Sequence, residues 1–194
     1  MTVYDISTEI GSAPIYPGDP QTEINRIKSI GSTGDYALTE LKMCLHTGTH
    51  AESPSHFVAG GNTIDETPLS VFMGECTVVA CLGMDDLTGA DIDELVKPGT
   101  QRVLFKTLGQ CRLTRSAAFS LISLGVQLVG IDAQSIATED DESSVHRELM
   151  LAGITLIEGL TLRHVRSGDY TLMALPLKIS GVEAAPCRAV LLKN

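Results

Sequence analysis

Three of the chain's five histidines, His46, His50 and His56, fall in one short segment together with a carboxylate, Glu52. Neutral imidazole and ionised carboxylate are the common side-chain ligands of zinc and manganese. A hydrolytic centre needs about three of them, with one coordination position left open. A His-x3-His spacing is weak evidence by itself, because i,i+4 histidines share a helix face with or without a metal. This pair does not read as helical. Gly48 lies between the histidines, Thr47 and Thr49 are β-branched, and Pro54 follows. The spacing predicts a loop whose glycine turns the backbone tightly enough for His46 and His50 to face one point, with Glu52 beside them. Scattered polar loop residues or satisfied structural histidines are the bland alternative, and they account less well for the density and the residue types.

The elements that must position these groups are legible in outline. Residues 37–45 alternate, with Leu41, Met43 and Leu45 on one face and Glu40, Lys42 and His46 on the other, which predicts a half-buried strand delivering His46. From residue 102 onward the chain reads as a strand over 103–106, a helix over 116–124 stopped by Gly125, a strand over 128–131, a helix, and a strand over 154–157. Such alternation implies crossover connections and parallel pairing. His146 is expected to open the second helix, which runs to Ala152 and stops at Gly153, and Glu158 to end the strand that follows. Ligands in alternating α/β folds gather outside the carboxyl ends of the strands, where Glu158 would lie. Residues 170–177 and 188–192 read as two further strands, antiparallel because only a short connection containing Gly181 separates them. The expected fold class is α/β, with residues 1–194 as a single domain.

Composition narrows the partners. A chain of 194 residues with 43% apolar residues can bury a sizeable core. A net charge of −10 argues against nucleic acid or an anionic membrane, which would repel it. The cysteines, Cys44, Cys76, Cys81, Cys111 and Cys187, are odd in number and form no Cys-x2-Cys pair, so they read as buried thiols in a reducing compartment. The amino terminus carries neither a basic n-region nor an apolar h-region, and no apolar run is long enough to span a bilayer. A cytoplasmic location is expected. The acidic run 138–142 reads as a solvated loop before a helix, and residues 91–94 as a helix start.

The segment His46-Thr47-Gly48-Thr49-His50-Ala51-Glu52-Ser53-Pro54-Ser55-His56-Phe57 resembles the His-Thr-Gly-Thr-His-x-Asp-x-Pro-x-His-Phe signature of the metal-dependent cyclase and hydrolase superfamily, which includes bacterial kynurenine formamidase and isatin hydrolase. Tyr16-Pro17-Gly18-Asp19 resembles that family's Trp-Pro-Gly-Asp segment, and Gly130-Ile131-Asp132 a strand-end motif. Val145-His146-Arg147 with Ile157-Glu158-Gly159-Leu160 resembles its second ligand pair, and Ala174-Leu175-Pro176-Leu177-Lys178 its C-terminal strand. The likeness spans most of the chain.

The resemblance implies a swivelling β/β/α fold, with mixed sheets flanked by helices. It implies that His46 and His50 bind one metal, that Glu52 stands where the family has a bridging Asp, and that His146 and Glu158 complete a second metal position. His56 would be the catalytic acid/base, and Tyr16 would line the substrate pocket. The implied cofactor is zinc, one or two ions, with manganese as the alternative. Such ions polarise a carbonyl and lower the pKa of a bound water to roughly 7. The implied reaction is hydrolysis of a small amide, with an aryl formamide such as N-formylkynurenine leading, in a homodimer or larger assembly. Glu52 departs from the family's Asp by one methylene, roughly 1.5 Å of added reach. That departure keeps two alternatives open: a mononuclear manganese-dependent hydrolase opening a cyclic amide or lactone, and a non-catalytic metal- or ligand-binding homologue.

Overall fold

The computed structural model describes residues 1–193. Along them the chain forms β1 (Thr2–Asp5), β2 (Glu23–Lys28), β3 (Leu38–Lys42), β4 (His50–Glu52), β5 (Met73–Ala80), α1 (Gly89–Leu95), β6 (Arg102–Lys106), α2 (Arg115–Ser123), β7 (Leu128–Ile131), α3 (Glu142–Leu151), β8 (Thr155–Glu158), β9 (Gly168–Met173), β10 (Ala184–Pro186) and β11 (Val190–Lys193). Nine strands make one mixed sheet in the order β1-β11-β9-β5-β6-β7-β8-β4-β10, and β2 pairs with β3 in a separate two-stranded sheet. The pairs β5–β6, β6–β7 and β7–β8 are parallel. The pairs that β9, β11 and β4 make are antiparallel.

The parallel strands read as short, nearly unbroken apolar runs because both of their faces are covered. Alternation sends Val103 and Phe105 of β6, and Val129 and Ile131 of β7, into one core with Leu121 of α2 and Leu149 of α3. Leu104, Leu128 and Ile157 enter a second core on the opposite face, with Phe72, Leu172 and Leu191. Each such side chain, fully buried, contributes about 1.5–3 kcal/mol. The mixed α/β class read from the sequence holds, as do the strands at 103–106 and 128–131, the parallel pairing, and the antiparallel β9–β11 pair. Thr88 caps α1 by accepting from the Asp91 amide, so the acidic residues there serve a helix start as expected. No described helix is long and apolar enough to cross a membrane.

Four expectations need correction. The alternating segment 37–45 yields only β3, which is exposed along its whole length because it pairs with β2 alone and never joins the main sheet. His46 is therefore delivered by a turn after β3, closed by the Thr47 amide donating to the Cys44 carbonyl at 3.1 Å. The segment around His50 is not helical, but neither is it all loop: β4 occupies a buried position between β8 and β10. Three residues with ionisable side chains at both ends carry too little apolar signal to be read as a core strand. His146 does not open α3, which begins at Glu142, so the acidic run 138–142 ends inside the helix, and His146 sits a full turn further on, facing the sheet. Finally, β9 ends at Met173 rather than continuing to Leu177. Of the five thiols, which are all unpaired, four are buried and Cys44 is half-buried.

Candidate metal centre

Strand alternation explains why His50 and Glu52 share a face while Ala51, between them, enters the core. In the antiparallel register His50 lies opposite Glu158 of β8, so these side chains are neighbours on that face, 3.8 Å apart between His50 Nε2 and Glu158 Oε2. The chain reaches β4 through Gly48 at φ +71, and leaves β8 through Gly159 at φ +66. The two glycines touch: a Cβ on Gly159 would stand 2.2 Å from the Gly48 carbonyl oxygen. Thr49 Oγ1 donates to the Gly159 carbonyl at 2.6 Å and accepts from the Thr8 amide at 2.7 Å, which ties the amino-terminal segment over the same corner. α3 packs on that same face and supplies His146, its ring stacked on Phe57 at 4.7 Å between centroids.

The donor atoms converge in two groups of three that share Glu52. In the first, His46 Nδ1 lies 2.8 Å from Glu52 Oε1 and 3.2 Å from His50 Nε2, and His50 Nε2 lies 3.3 Å from Glu52 Oε1. In the second, His146 Nε2 lies 3.2 Å from Glu158 Oε1 and 3.7 Å from Glu52 Oε2. Tetrahedral ligand atoms at zinc distances of about 2.0–2.1 Å are roughly 3.3 Å from one another, so these spacings are close to what a cation requires. Glu52 Oε2 is buried without a hydrogen-bond partner among the described residues, an unmet demand for positive charge. The cluster fits a metal ion.

The remaining ring nitrogens fix which atoms face the centre. His50 Nδ1 donates to the Gly48 carbonyl at 3.0 Å and His146 Nδ1 to the Glu142 carbonyl at 2.8 Å, which turns each Nε2 toward the carboxylates. His46 is turned the other way, with Nε2 donating to Glu183 at 3.3 Å and Nδ1 inward. Ile136 N–H donates to Glu158 Oε1 at 2.7 Å. Burial opposes ionisation of Glu52, yet hydrogen bonds from His46 and His50 and the charge of His146 hold its carboxyl well below the usual range. Burial and the neighbouring Glu52 charge push Glu158 up. Burial likewise disfavours a charged His146, but Glu158 and Glu52 outweigh it and raise the imidazole to about 9. Without metal, protons take the place of the cation that two buried carboxylates demand.

Every residue singled out from the sequence comes to this corner. His56 Nε2 is 3.6 Å from Glu52 Oε1, its ring lies 4.4 Å from that of His46, and burial lowers its pKa. Tyr16, in a turn closed by the Asp19 amide donating to the Tyr16 carbonyl, donates its hydroxyl to the Glu142 carboxylate at 2.9 Å. Burial and that carboxylate push its phenol up to about 12. Tyr16, His46, His50 and Gly48 line a cavity of about 320 Å³. Sequence reasoning did not find Glu183 or Arg112, which also reach the site or its cavity. Neither neighbours a ligand in the sequence, and only the tertiary contact marks them.

A family model named Cyclase, described as "Putative cyclase", matches residues 4–138 and so covers the His46–His56 segment but stops before α3. Among solved structures, a potential metal-dependent hydrolase with cyclase activity is 33% identical, with a TM-score of 0.85 over 98% of this chain and 96% of that one. A predicted metal-dependent hydrolase from Bacillus stearothermophilus is 34% identical, with a TM-score of 0.85 over 98% and 97%. An isatin hydrolase bound to the product analogue thioisatinate has a TM-score of 0.86 over 98% and 92%, and at 19% identity that likeness is one of fold.

Proposed function

This chain belongs to the Cyclase family, and from that premise we propose that it is a metal-dependent hydrolase of a small amide. The observation that carries the reading is the pair of His/Glu triads sharing buried Glu52. His46, His50 and Glu52 would hold one ion and Glu52, His146 and Glu158 a second, with zinc as the leading metal and manganese the alternative. A divalent ion bound there supplies Lewis-acid polarisation of the scissile carbonyl and acidifies a water. Glu52 directs one carboxylate oxygen at each triad, which its extra methylene permits while its backbone stays paired in β4. His56, depressed below the ordinary imidazole range by burial, holds a free lone pair at neutral pH, accepts the water's proton, and returns it to the leaving amine. Tyr16 stands on the cavity wall with its hydroxyl anchored to Glu142 and would contact the substrate there.

The cavity's size suits a small molecule, and an aryl formamide of the N-formylkynurenine type leads. One observation favours the alternative of a mononuclear hydrolase opening a cyclic amide or lactone: His46 and His50 line the cavity, whereas His146 and Glu158 do not. The assembly proposed is a homodimer or larger, supported by the exposed Ile24, Ile27, Leu38 and Leu41 on the isolated β2–β3 pair. A two-stranded sheet is marginal in water without cover. Light scattering should return a multiple of the 20.7 kDa chain mass, and a monomer at micromolar concentration would exclude it.

Metal content per chain, with formanilide and isatin hydrolysis measured alongside, tests the main reading. About two divalent ions are expected, falling sharply in His50→Ala, and His56→Ala should lower kcat by about 10²–10⁴-fold while keeping its metal. One ion per chain with isatin preferred would establish the mononuclear alternative. No metal after supplementation would overturn the hydrolase reading.

A further inference from the structure

The cavity that bears His46 and His50 is walled elsewhere by Arg112, Asp132 and Gln134. Arg112 is half-buried there, in a chain whose net charge is −10, yet it forms no ion pair with a described residue. Its side-chain hydrogen bonds all come from Nη1, which donates to the carbonyls of Gly109 and Cys111 at 3.0 Å each. Those two bonds fix the guanidinium plane and leave the Nε–Nη2 edge without a partner among the described residues. That edge is the fork that grips a carboxylate through two parallel N–H bonds.

The loop that carries Arg112 is built to hold this position. Leu108 takes φ +53, a left-handed conformation that a branched side chain rarely adopts. The conformation is held by Asp132 at the end of β7, whose carboxylate accepts from the Leu108 amide with both oxygens at 3.1 Å, from the Thr107 amide at 2.6 Å, and from Thr107 Oγ1 at 2.8 Å. Asp86 takes the Arg112 amide at 2.8 Å, and the Leu87 amide donates to the Arg112 carbonyl at 2.7 Å. Asp132 therefore turns its carboxylate to the loop backbone and forms no ion pair with Arg112, whose outer edge has no partner among the described residues. Backbone strain sustained beside a cavity is a mark of function.

We propose that Arg112 binds a carboxylate carried by the substrate, so that the molecule hydrolysed beside His46 and His50 is an anionic small amide. Its carboxylate meets the Nε–Nη2 edge and its scissile carbonyl lies toward the histidines. This rests on the hydrolase reading above, and the test keeps the two apart. Calorimetric titration compares benzoate with its neutral isostere benzamide on the metal-loaded protein, in wild type, Arg112→Ala and Arg112→Lys. Wild type should prefer benzoate by about tenfold to a hundredfold. The preference should vanish in R112A and survive in reduced form in R112K, which keeps the charge but not the fork. A benzoate affinity equal in all three proteins would place that carboxylate on the metal and overturn the proposal. Should R112A fail to fold, R112K decides alone, since an undiminished preference refutes the fork. Rates on 2-formamidobenzoate and 2-formamidobenzamide separate the two readings. Arg112-dependent benzoate binding with neither compound hydrolysed would sink the formamidase reading and leave the carboxylate site standing. Hydrolysis of both at equal kcat/KM, with benzoate binding indifferent to Arg112, would do the reverse.

Discussion

Glu52 sends Oε1 toward His46 and His50 and Oε2 toward His146, and the second oxygen is sealed from water without a partner among the described residues. A buried carboxylate oxygen left unpaired costs on the order of 1–3 kcal/mol, which a bound cation would recover. Glu183 acts one contact further out. By accepting the His46 Nε2 proton it keeps Nδ1 directed inward, the arrangement in which an outer carboxylate orients a ligating imidazole. Glu183→Ala should weaken metal binding by about 10–100-fold, read by competition with a chromophoric chelator. An unchanged affinity would show that the ring is oriented by packing alone. The close spacing of His46, His50, Glu52 and His56 made them legible as a group, because the sequence itself holds them together. Glu183 lies 137 positions from His46 and left no such trace.

The corner where β4 meets β8 depends on backbone contact between Gly48 and Gly159. Gly159 lies at positive φ, and any Cβ there collides with the Gly48 carbonyl, so Gly159→Ala combines conformational strain with a clash against unyielding backbone. It should destabilise the fold by about 2–3 kcal/mol in urea denaturation and also lower metal content, since the corner carries both His50 and Glu158. Gly153→Ala isolates the first effect. That glycine has φ +76 with nothing within 4 Å of where an alanine methyl would stand, so the cost should be only about 1–2 kcal/mol. Equal losses in the two variants would remove the steric argument. At this scale the sequence showed Gly48 as a turn, but its contact with Gly159, which makes that glycine irreplaceable, joins segments far apart in the chain.

For the molecule as a whole, the cluster couples stability to pH and to metal. His146 is raised in the fold from 6.5 to about 9, so its protonation stabilises the metal-free protein fully below pH 6.5 and is lost as pH rises through about 9. The raised Glu158 carboxyl acts in the same direction, since ionising it in the fold also costs stability as pH rises. Chelator-treated protein should therefore melt at progressively lower temperature between pH 6.5 and 9. Protein loaded with zinc at a hundredfold excess over Kd should gain about 2.7 kcal/mol and lose most of that slope, because the metal replaces the proton. Identical melting profiles with and without chelator across this range would mean that no metal engages the cluster.

The sequence by itself determined the βαβ succession from β6 to β8, because local apolar periodicity and glycine stops fix strands and helices that bury both faces of a parallel sheet. It also determined that imidazole and carboxylate ligands crowd into one segment, since that crowding is local. Tertiary structure alone decided that β4 enters the sheet between β8 and β10, that β3 stays outside it, and that His146 reaches the cluster from the interior of α3. It also decided that Arg112 and Asp132 share a cavity wall. Pairing partners, cross-sheet contacts and the left-handed turn at Leu108 are non-local. Each depends on which distant backbone fills a position, and no window of neighbouring residues carries that information.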